Sequence, residues 1–147
     1  PLLLKEKPDI RILLSGSSPA KAVLELASKY VTVSGWVDDI KESYARGKIF
    51  FAPLNIGTGL QNKLLEAMAM RIPCITSSLA NNALKATDKK EILIGNTPEE
   101  YNRLILHLLS DTEKSEAIAE AGKKYVENTF DWKVSTQKLI HLIENKK

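Results

Sequence analysis

The chain predicts an α/β domain of three layers, α/β/α, around a parallel sheet of about five strands, and three observations carry that expectation. Five short, mostly apolar runs recur along the 147 residues: Ile10–Leu14, Val31–Ser34, Lys48–Ala52, Pro73–Thr76 and Glu91–Ile94. Runs with so little polar alternation suit strands covered on both faces. Amphipathic helical patterns occupy the intervals, and that alternation builds βαβ units with right-handed crossovers. Finally, the third run stops at Pro53, passes through Gly57-Thr58-Gly59 and turns into a helical pattern.

In order, Pro1 to Lys7 reads as a helix end, with Pro8-Asp9 as the stop. Ser15-Gly16-Ser17-Ser18-Pro19 is a small-residue turn after the first strand, with Pro19 placed to start a helix. That helix is expected over Ala20–Tyr30, with Val23, Leu26, Ala27 and Tyr30 on one side. The second strand closes on Gly35-Trp36-Val37. Asp38 or Asp39 can cap the next short helix, which ends near Arg46-Gly47. A helical pattern over 59–70 puts Leu60, Leu64, Ala67 and Met68 on one side at about 100° per residue, with Leu65 flanking. Gly59, Asn62, Lys63 and Glu66 share the other side. Ser77 to Lys90 reads as a polar loop. Thr97-Pro98-Glu99-Glu100 is a capping box with proline at the first helical position. Tyr101, Leu104, Ile105, Leu108 and Leu109 continue it at helical spacing. Asp111 can cap a further helix through Ile118, Ala121 and Tyr125. Asp131 can cap a last one, with Trp132, Leu139, Ile140 and Ile143 facing inward.

The bulk numbers exclude several classes. An apolar fraction of 44% and a charged fraction of 27% describe one ordinary globular domain able to bury a core. Net charge is +3, but the longest basic runs are pairs without interleaved aromatics, so no nucleic-acid partner is expected. The single cysteine, Cys74, permits no internal disulfide and fits a reducing compartment. No window approaches the roughly 18 apolar residues of a membrane span. The start at Pro1-Leu2-Leu3-Leu4, in the middle of a helical pattern and without a signal peptide, predicts a piece of something longer.

A strand that ends in a glycine turn and opens a helix aims backbone N–H groups and the positive helix end at one spot, which suits a phosphate. A strand-to-helix turn that simply needs glycines explains Gly57-Thr58-Gly59 as well on spacing alone. The chain has neither G-x-x-x-x-G-K-[ST] nor G-x-G-x-x-G, so a Walker site and a dinucleotide fingerprint are both missing. Glu66 is either an exposed helix residue paired with Lys63 or Asn62, or a carboxylate within reach of ribose hydroxyls. Trp36 is either a core aromatic or the wall of a base pocket. His107 and His141 fit surface or core-edge positions, and Cys74 a small core residue. No metal set or nucleophilic triad is legible. The turns Ser15–Ser18, Gly35–Asp39 and Leu54–Gly59 end successive strands and should converge on one crevice.

Three segments together resemble a known family: Gly57-Thr58-Gly59-Leu60-Gln61-Asn62-Lys63-Leu64-Leu65-Glu66-Ala67-Met68-Ala69-Met70, the following Arg71-Ile72-Pro73, and Phe130-Asp131-Trp132. The chain is similar to the C-terminal, donor-binding half of a GT-B glycosyltransferase of the family 4, or group 1, type. Pro8–Ser17 and Val33–Asp39 resemble that half's opening strand and its strand-glycine turn. The resemblance covers nearly the whole chain. It implies a single Rossmann-like nucleotide-sugar-binding domain over 1–147, with the N-terminal acceptor domain, and a basic pair at the start of the donor domain, outside this sequence. It implies that Glu66 holds the ribose hydroxyls and, with Thr58, stands in the catalytic motif. Gly57, Thr58, Gly59 and Leu60 would hold the diphosphate beside Asn62 and Lys63, Trp36 and Val37 would meet the base, and Gly16 and Ser17 would line the crevice. Thr58 occupies the first position of the family's E-x7-E motif, and Arg71 stands where the family has glycine.

The resemblance further implies retaining transfer of a hexose from a UDP- or GDP-sugar to a glycan or lipid-linked acceptor. The donor is a substrate, and neither cofactor nor metal is expected. A cytoplasmic location follows, compatible with peripheral membrane association of the full-length enzyme. The isolated chain is expected to bind nucleotide weakly and to transfer no sugar. Two other readings share the fold class: a non-catalytic α/β nucleotide-binding module, and half of a GT-B-type epimerase or phosphorylase.

Overall fold

The computed structural model describes residues 2–57, 59–131, 136, 140, 141, 143 and 144. A short helix α1 (Leu2–Glu6) leads into β1 (Ile12–Ser15), α2 (Lys21–Leu24) and β2 (Val31–Gly35). Helix α3 (Ile40–Ala45) starts at Asp39, whose carboxylate accepts from the Lys41 N–H at 2.9 Å, so Asp39 and not Asp38 is the cap. Then come β3 (Phe50–Ala52), α4 (Asn62–Ala69), β4 (Cys74–Thr76), α5 (Ser78–Leu84), β5 (Leu93–Ile94), α6 (Pro98–Ser110) and α7 (Thr112–Phe130). The capping box forms as expected: the Thr97 hydroxyl accepts from Glu100 N–H, and Glu100 accepts from Thr97 N–H.

All strand pairings among the described residues are parallel, and the α/β class holds. The single sheet of about five strands does not: β1 pairs with β2, and β3, β4 and β5 form a separate sheet in that order. The cause is spatial. Leu13 of β1 and Phe51 of β3 face each other across two cavities, and the two strands share no ladder.

The three-stranded sheet carries a core on each face, because successive strand residues point to opposite sides. Ala52 and Cys74 pack with Leu64, Ala67 and Met68 of α4 and Val126 of α7. Ile75 and Leu93 pack with Ile105 and Leu108 of α6 and Ile118 of α7. Fully buried Leu64, Met68, Ile75 and Leu93 each contribute about 1.5–3 kcal/mol. Gly122 lets α7 approach closely, since a Cβ there would lie 2.8 Å from the Glu91 carbonyl oxygen.

Several expected elements change. The helix expected over Ala20–Tyr30 is a single turn, because the Ser28 hydroxyl accepts from the Tyr30 and Val31 N–H groups and diverts the chain into β2. The expected polar loop contains α5, capped by the Ser77 hydroxyl accepting from Ala80 N–H and closed by left-handed Lys85. Leu60 precedes α4 and is exposed instead of joining its apolar side. Ile140 and Ile143, expected to face inward, are exposed. Trp132 and Leu139 lie outside the described residues.

Candidate functional site

The carboxyl end of β3 is held before the glycine turn begins. The buried Thr76 hydroxyl donates to the Ala52 carbonyl at 2.8 Å, and the buried Ser77 hydroxyl donates to the Leu54 carbonyl. The Leu54 N–H also donates to the Ala52 carbonyl at 2.9 Å, and together these bonds fix where the turn departs. Gly57 takes φ +115°, which side-chain-bearing residues rarely adopt. Thr58 lies outside the described residues. Gly59 follows, its carbonyl accepting from the Gln61 side-chain amide at 3.0 Å. Gln61 makes no side-chain cap on α4, and the Leu64 N–H donates to the Gln61 carbonyl at 2.9 Å; among the described residues the Asn62 and Lys63 N–H groups stay open to an anion.

Helix α4 sorts its faces as its spacing requires. Leu64, Ala67 and Met68 are buried, while Asn62, Lys63 and Glu66 are exposed. Among the described residues no ion pair joins Lys63 to Glu66. The Tyr44 hydroxyl instead donates to the Glu66 carboxylate at 2.8 Å. Tyr44 is buried, with its ring edge-on to Phe50 at 5.4 Å. Burial, helped by the bond to Glu66 and its charge, pushes the Tyr44 phenol above its ordinary range and keeps it a donor.

The ends of β1 and β2 are tied to each other. Gly16 N–H donates to the Gly35 carbonyl at 3.1 Å, Ser34 Oγ donates to Ser15 Oγ at 3.0 Å, and Ser15 Oγ donates to Ser43 Oγ at 3.1 Å. Gly35 has φ +65°, and Trp36 just after it is 74% exposed, which excludes the core-aromatic reading. Val37 is half-buried and Ser17 exposed.

A cavity of about 510 Å³ brings Ser15, Tyr44, Leu54 and Lys63 together. The convergence expected of all three turns is met by the bases of two: Ser15 and Leu54 line this cavity, and no residue of Gly35–Asp39 does. Gly16, Ser17, Trp36, Val37, Gly57, Gly59, Leu60, Asn62 and Glu66 lie outside that lining: the turns splay beyond the strand ends, and Asn62 and Glu66 stand exposed on α4. Sequence reasoning missed Ser43 and Tyr44. Tyr44 stands in a short helix with no motif around it, and nothing local ties it to Glu66, 22 residues on. Cys74 is buried and its thiol is pushed up by that burial, in keeping with a core role. Among the described residues no group of three His, Cys, Asp or Glu is placed to hold a metal ion. No described helix is long and apolar enough to cross a membrane.

Comparison with known proteins adds the following. Residues 1–111 match the family model described as "Glycosyl transferases group 1". Spore coat protein SA of Bacillus subtilis (strain 168) is 24% identical, over 98% of this chain and 43% of its own length. Among solved structures, Anabaena Alr3699/HepE in complex with UDP superposes with TM-score 0.85 at 17% identity, over 97% of this chain and 43% of that one. The C-terminal domain of the glycosyl transferase group 1 family protein LpcC from Francisella tularensis gives TM-score 0.73 at 20% identity, over 89% of this chain and 75% of that one. The chain spans less than half the length of the curated relatives it matches.

Proposed function

Because this chain belongs to the group 1 glycosyl transferases, we propose that it is the donor-binding half of an enzyme that moves a hexose from a nucleoside-diphosphate sugar to a glycan or glycolipid acceptor with retention. The acceptor domain belongs to another part of the full polypeptide, and the chain alone transfers no sugar. The observation that carries this reading is the polar face of α4. Asn62, Lys63 and Glu66 lie exposed on it directly after the glycine turn that ends β3.

The diphosphate rests on the uncapped first turn of α4, where backbone N–H groups and the helix dipole favour negative charge. Lys63 adds a cation to the crevice beside it. As the sugar leaves, charge builds on the departing diphosphate, and donors already fixed in place stabilise it without reorganising. Glu66, held by Tyr44, accepts from the ribose hydroxyls. Trp36, exposed at the end of β2, offers a flat wall for the base. Gly16 and Ser17, exposed in the turn after β1, approach the donor from the rim of the crevice. UDP, present in the Anabaena complex, is the first nucleotide to try.

The test is a thermal-shift panel of UDP, GDP, ADP and TDP on the 147-residue chain. A bound nucleotide at about 100 times its dissociation constant adds about 2.7 kcal/mol of stability. A shift with one or more of them is expected. A flat response to all four from a well-folded sample favours a module that binds no nucleotide.

A further inference from the structure

We infer that Ser28 and Asp88 close the outer edges of β2 and β5, and so keep a second copy of the chain from pairing there. Among the described residues β2 pairs only with β1, and β5 only with β4, so each strand has an outer edge. Such an edge carries a row of backbone groups that can template pairing with another chain. On both strands that row is interrupted by bonds from the residues just before the strand.

The parallel register decides which groups of β2 face out. Ile12 N–H donates to the Tyr30 carbonyl at 2.8 Å and stands opposite Val31, which turns Tyr30 and Thr32 toward β1. Alternate residues serve opposite neighbours, so Val31 and Val33 face out. Both groups of Val31 are taken. Its N–H donates to Ser28 Oγ at 3.2 Å, and its carbonyl accepts from Ser28 N–H at 3.0 Å. The same hydroxyl accepts from Tyr30 N–H at 3.3 Å, which holds the loop against the edge. Beyond Val33 the edge ends, because Gly35 is left-handed at φ +65° and its carbonyl accepts from Gly16 N–H at 3.1 Å. An incoming strand finds one outward residue, Val33, too little for a ladder.

The same device recurs on β5. Gly95 N–H donates to the Thr76 carbonyl at 3.0 Å, which leaves Ile92 and Ile94 facing out. Ile94 N–H donates to the Asp88 carboxylate at 2.9 Å, and the Ile92 carbonyl accepts from Lys89 N–H at 2.8 Å. Each loop thus pairs a short oxygen-bearing side chain, suited to bonding nearby backbone, with a following lysine. Lys29 and Lys89 are exposed, and charge on an edge further discourages pairing. The outward residues are all β-branched and apolar, the composition that forms strands most readily. The same edge of a second copy, related by a two-fold, is the partner they would otherwise meet. Both loops lie at the amino ends of their strands, away from the glycine turn, so the device goes beyond donor binding and does not depend on it.

Hydrogen exchange and analytical ultracentrifugation of the 147-residue chain test this. In the native chain the Val33 amide should exchange faster than that of Val31. Ser28→Ala should speed exchange at Val31 about three- to tenfold, and Asp88→Ala should do the same at Ile94, each the worth of about one hydrogen bond. Leu14, inside the β1–β2 ladder, should keep its native rate. Each alanine variant should gain concentration-dependent association over the native chain, whereas Ser28→Thr and Asp88→Asn, which keep an acceptor oxygen, should not. Adding Val33→Pro to Ser28→Ala removes only an outward N–H and should reverse the gain. Alanine variants that associate no more than the native chain overturn the inference, as does association that Val33→Pro leaves intact. A native chain in which Val33 is protected as well as Val31 overturns it without any variant.

Discussion

The phenol of Tyr44 donates a 2.8 Å hydrogen bond to the Glu66 carboxylate, joining α3 to the acid on the polar face of α4. Among the described residues the other carboxylate oxygen has no hydrogen-bond partner, and the bond fixes the direction in which it points. Replacing Tyr44 with Phe keeps the ring against Phe50 and removes only the donor. Stability should fall by about 0.5–1.5 kcal/mol, the usual worth of one hydrogen bond. Affinity for a nucleoside diphosphate should fall by up to about tenfold, which corresponds to about 1.4 kcal/mol. Urea unfolding and calorimetric titration measure the two separately, and a variant unchanged in both leaves Glu66 positioned by something else.

Gly122 should tolerate no methyl group. Alanine gains up to about 1 kcal/mol of helix propensity over glycine. Its Cβ, however, would lie 2.8 Å from the Glu91 carbonyl oxygen and 3.4 Å from Met68 Cε. Overpacking of this kind costs about 1–3 kcal/mol, so Gly122→Ala should lower Tm in a thermal melt. A raised Tm would mean that α7 can move away freely.

The elements that were legible in the sequence carry their own local chemistry. The capping box at Thr97–Glu100, the cap at Asp111 and the buried stripe Leu64, Ala67 and Met68 are all present. What was not legible depended on partners distant in sequence. Helix α5 hides because Asn81 and Asn82 read as loop, yet Asn81 bonds the backbone of Ala86 in both directions. The break between β1 and β3 is a matter of strand neighbours, which apolar runs cannot specify. At the candidate site, α4's exposed Asn62, Lys63 and Glu66 followed from helical spacing. The Tyr44 bond to Glu66 did not, because 22 residues separate the two.

Arg71 occupies a position whose backbone suits glycine, with φ +59°. Left-handed backbone costs a side-chain-bearing residue roughly 1–2 kcal/mol. Its Nε pairs with Glu120 at 3.0 Å, an exposed ion pair worth about 0–1 kcal/mol. Arg71→Gly relieves the first and forfeits the second, so Tm should hold or rise slightly. Arg71→Ala forfeits the pair without the relief and should melt lower. The reverse order would mean that the ion pair dominates.

Glu91 ties the segment before β5 together, accepting from the Thr87 N–H at 2.7 Å with Lys90 at 3.5 Å. Burial alone would raise this carboxyl, but the hydrogen bonds from Thr87 and the Lys90 charge outweigh it and hold it below the ordinary 4.5. A carboxyl depressed on folding contributes stability that is present above its unfolded value and lost as pH falls through the folded one. The Tm gap between the native chain and Glu91→Gln should therefore be constant from pH 7 down to about 4.5 and narrow below it. A gap that stays the same to pH 3 would contradict this.

The most direct measurement of the central claim is calorimetric titration of the 147-residue chain with UDP and with its 2′-deoxy analogue, repeated on Glu66→Ala. A ribose clamp at Glu66 predicts saturable UDP binding, weaker binding of the deoxy nucleotide, and loss of UDP binding in the variant. UDP binding of equal strength in Glu66→Ala, or equal affinity for the two nucleotides, would contradict it.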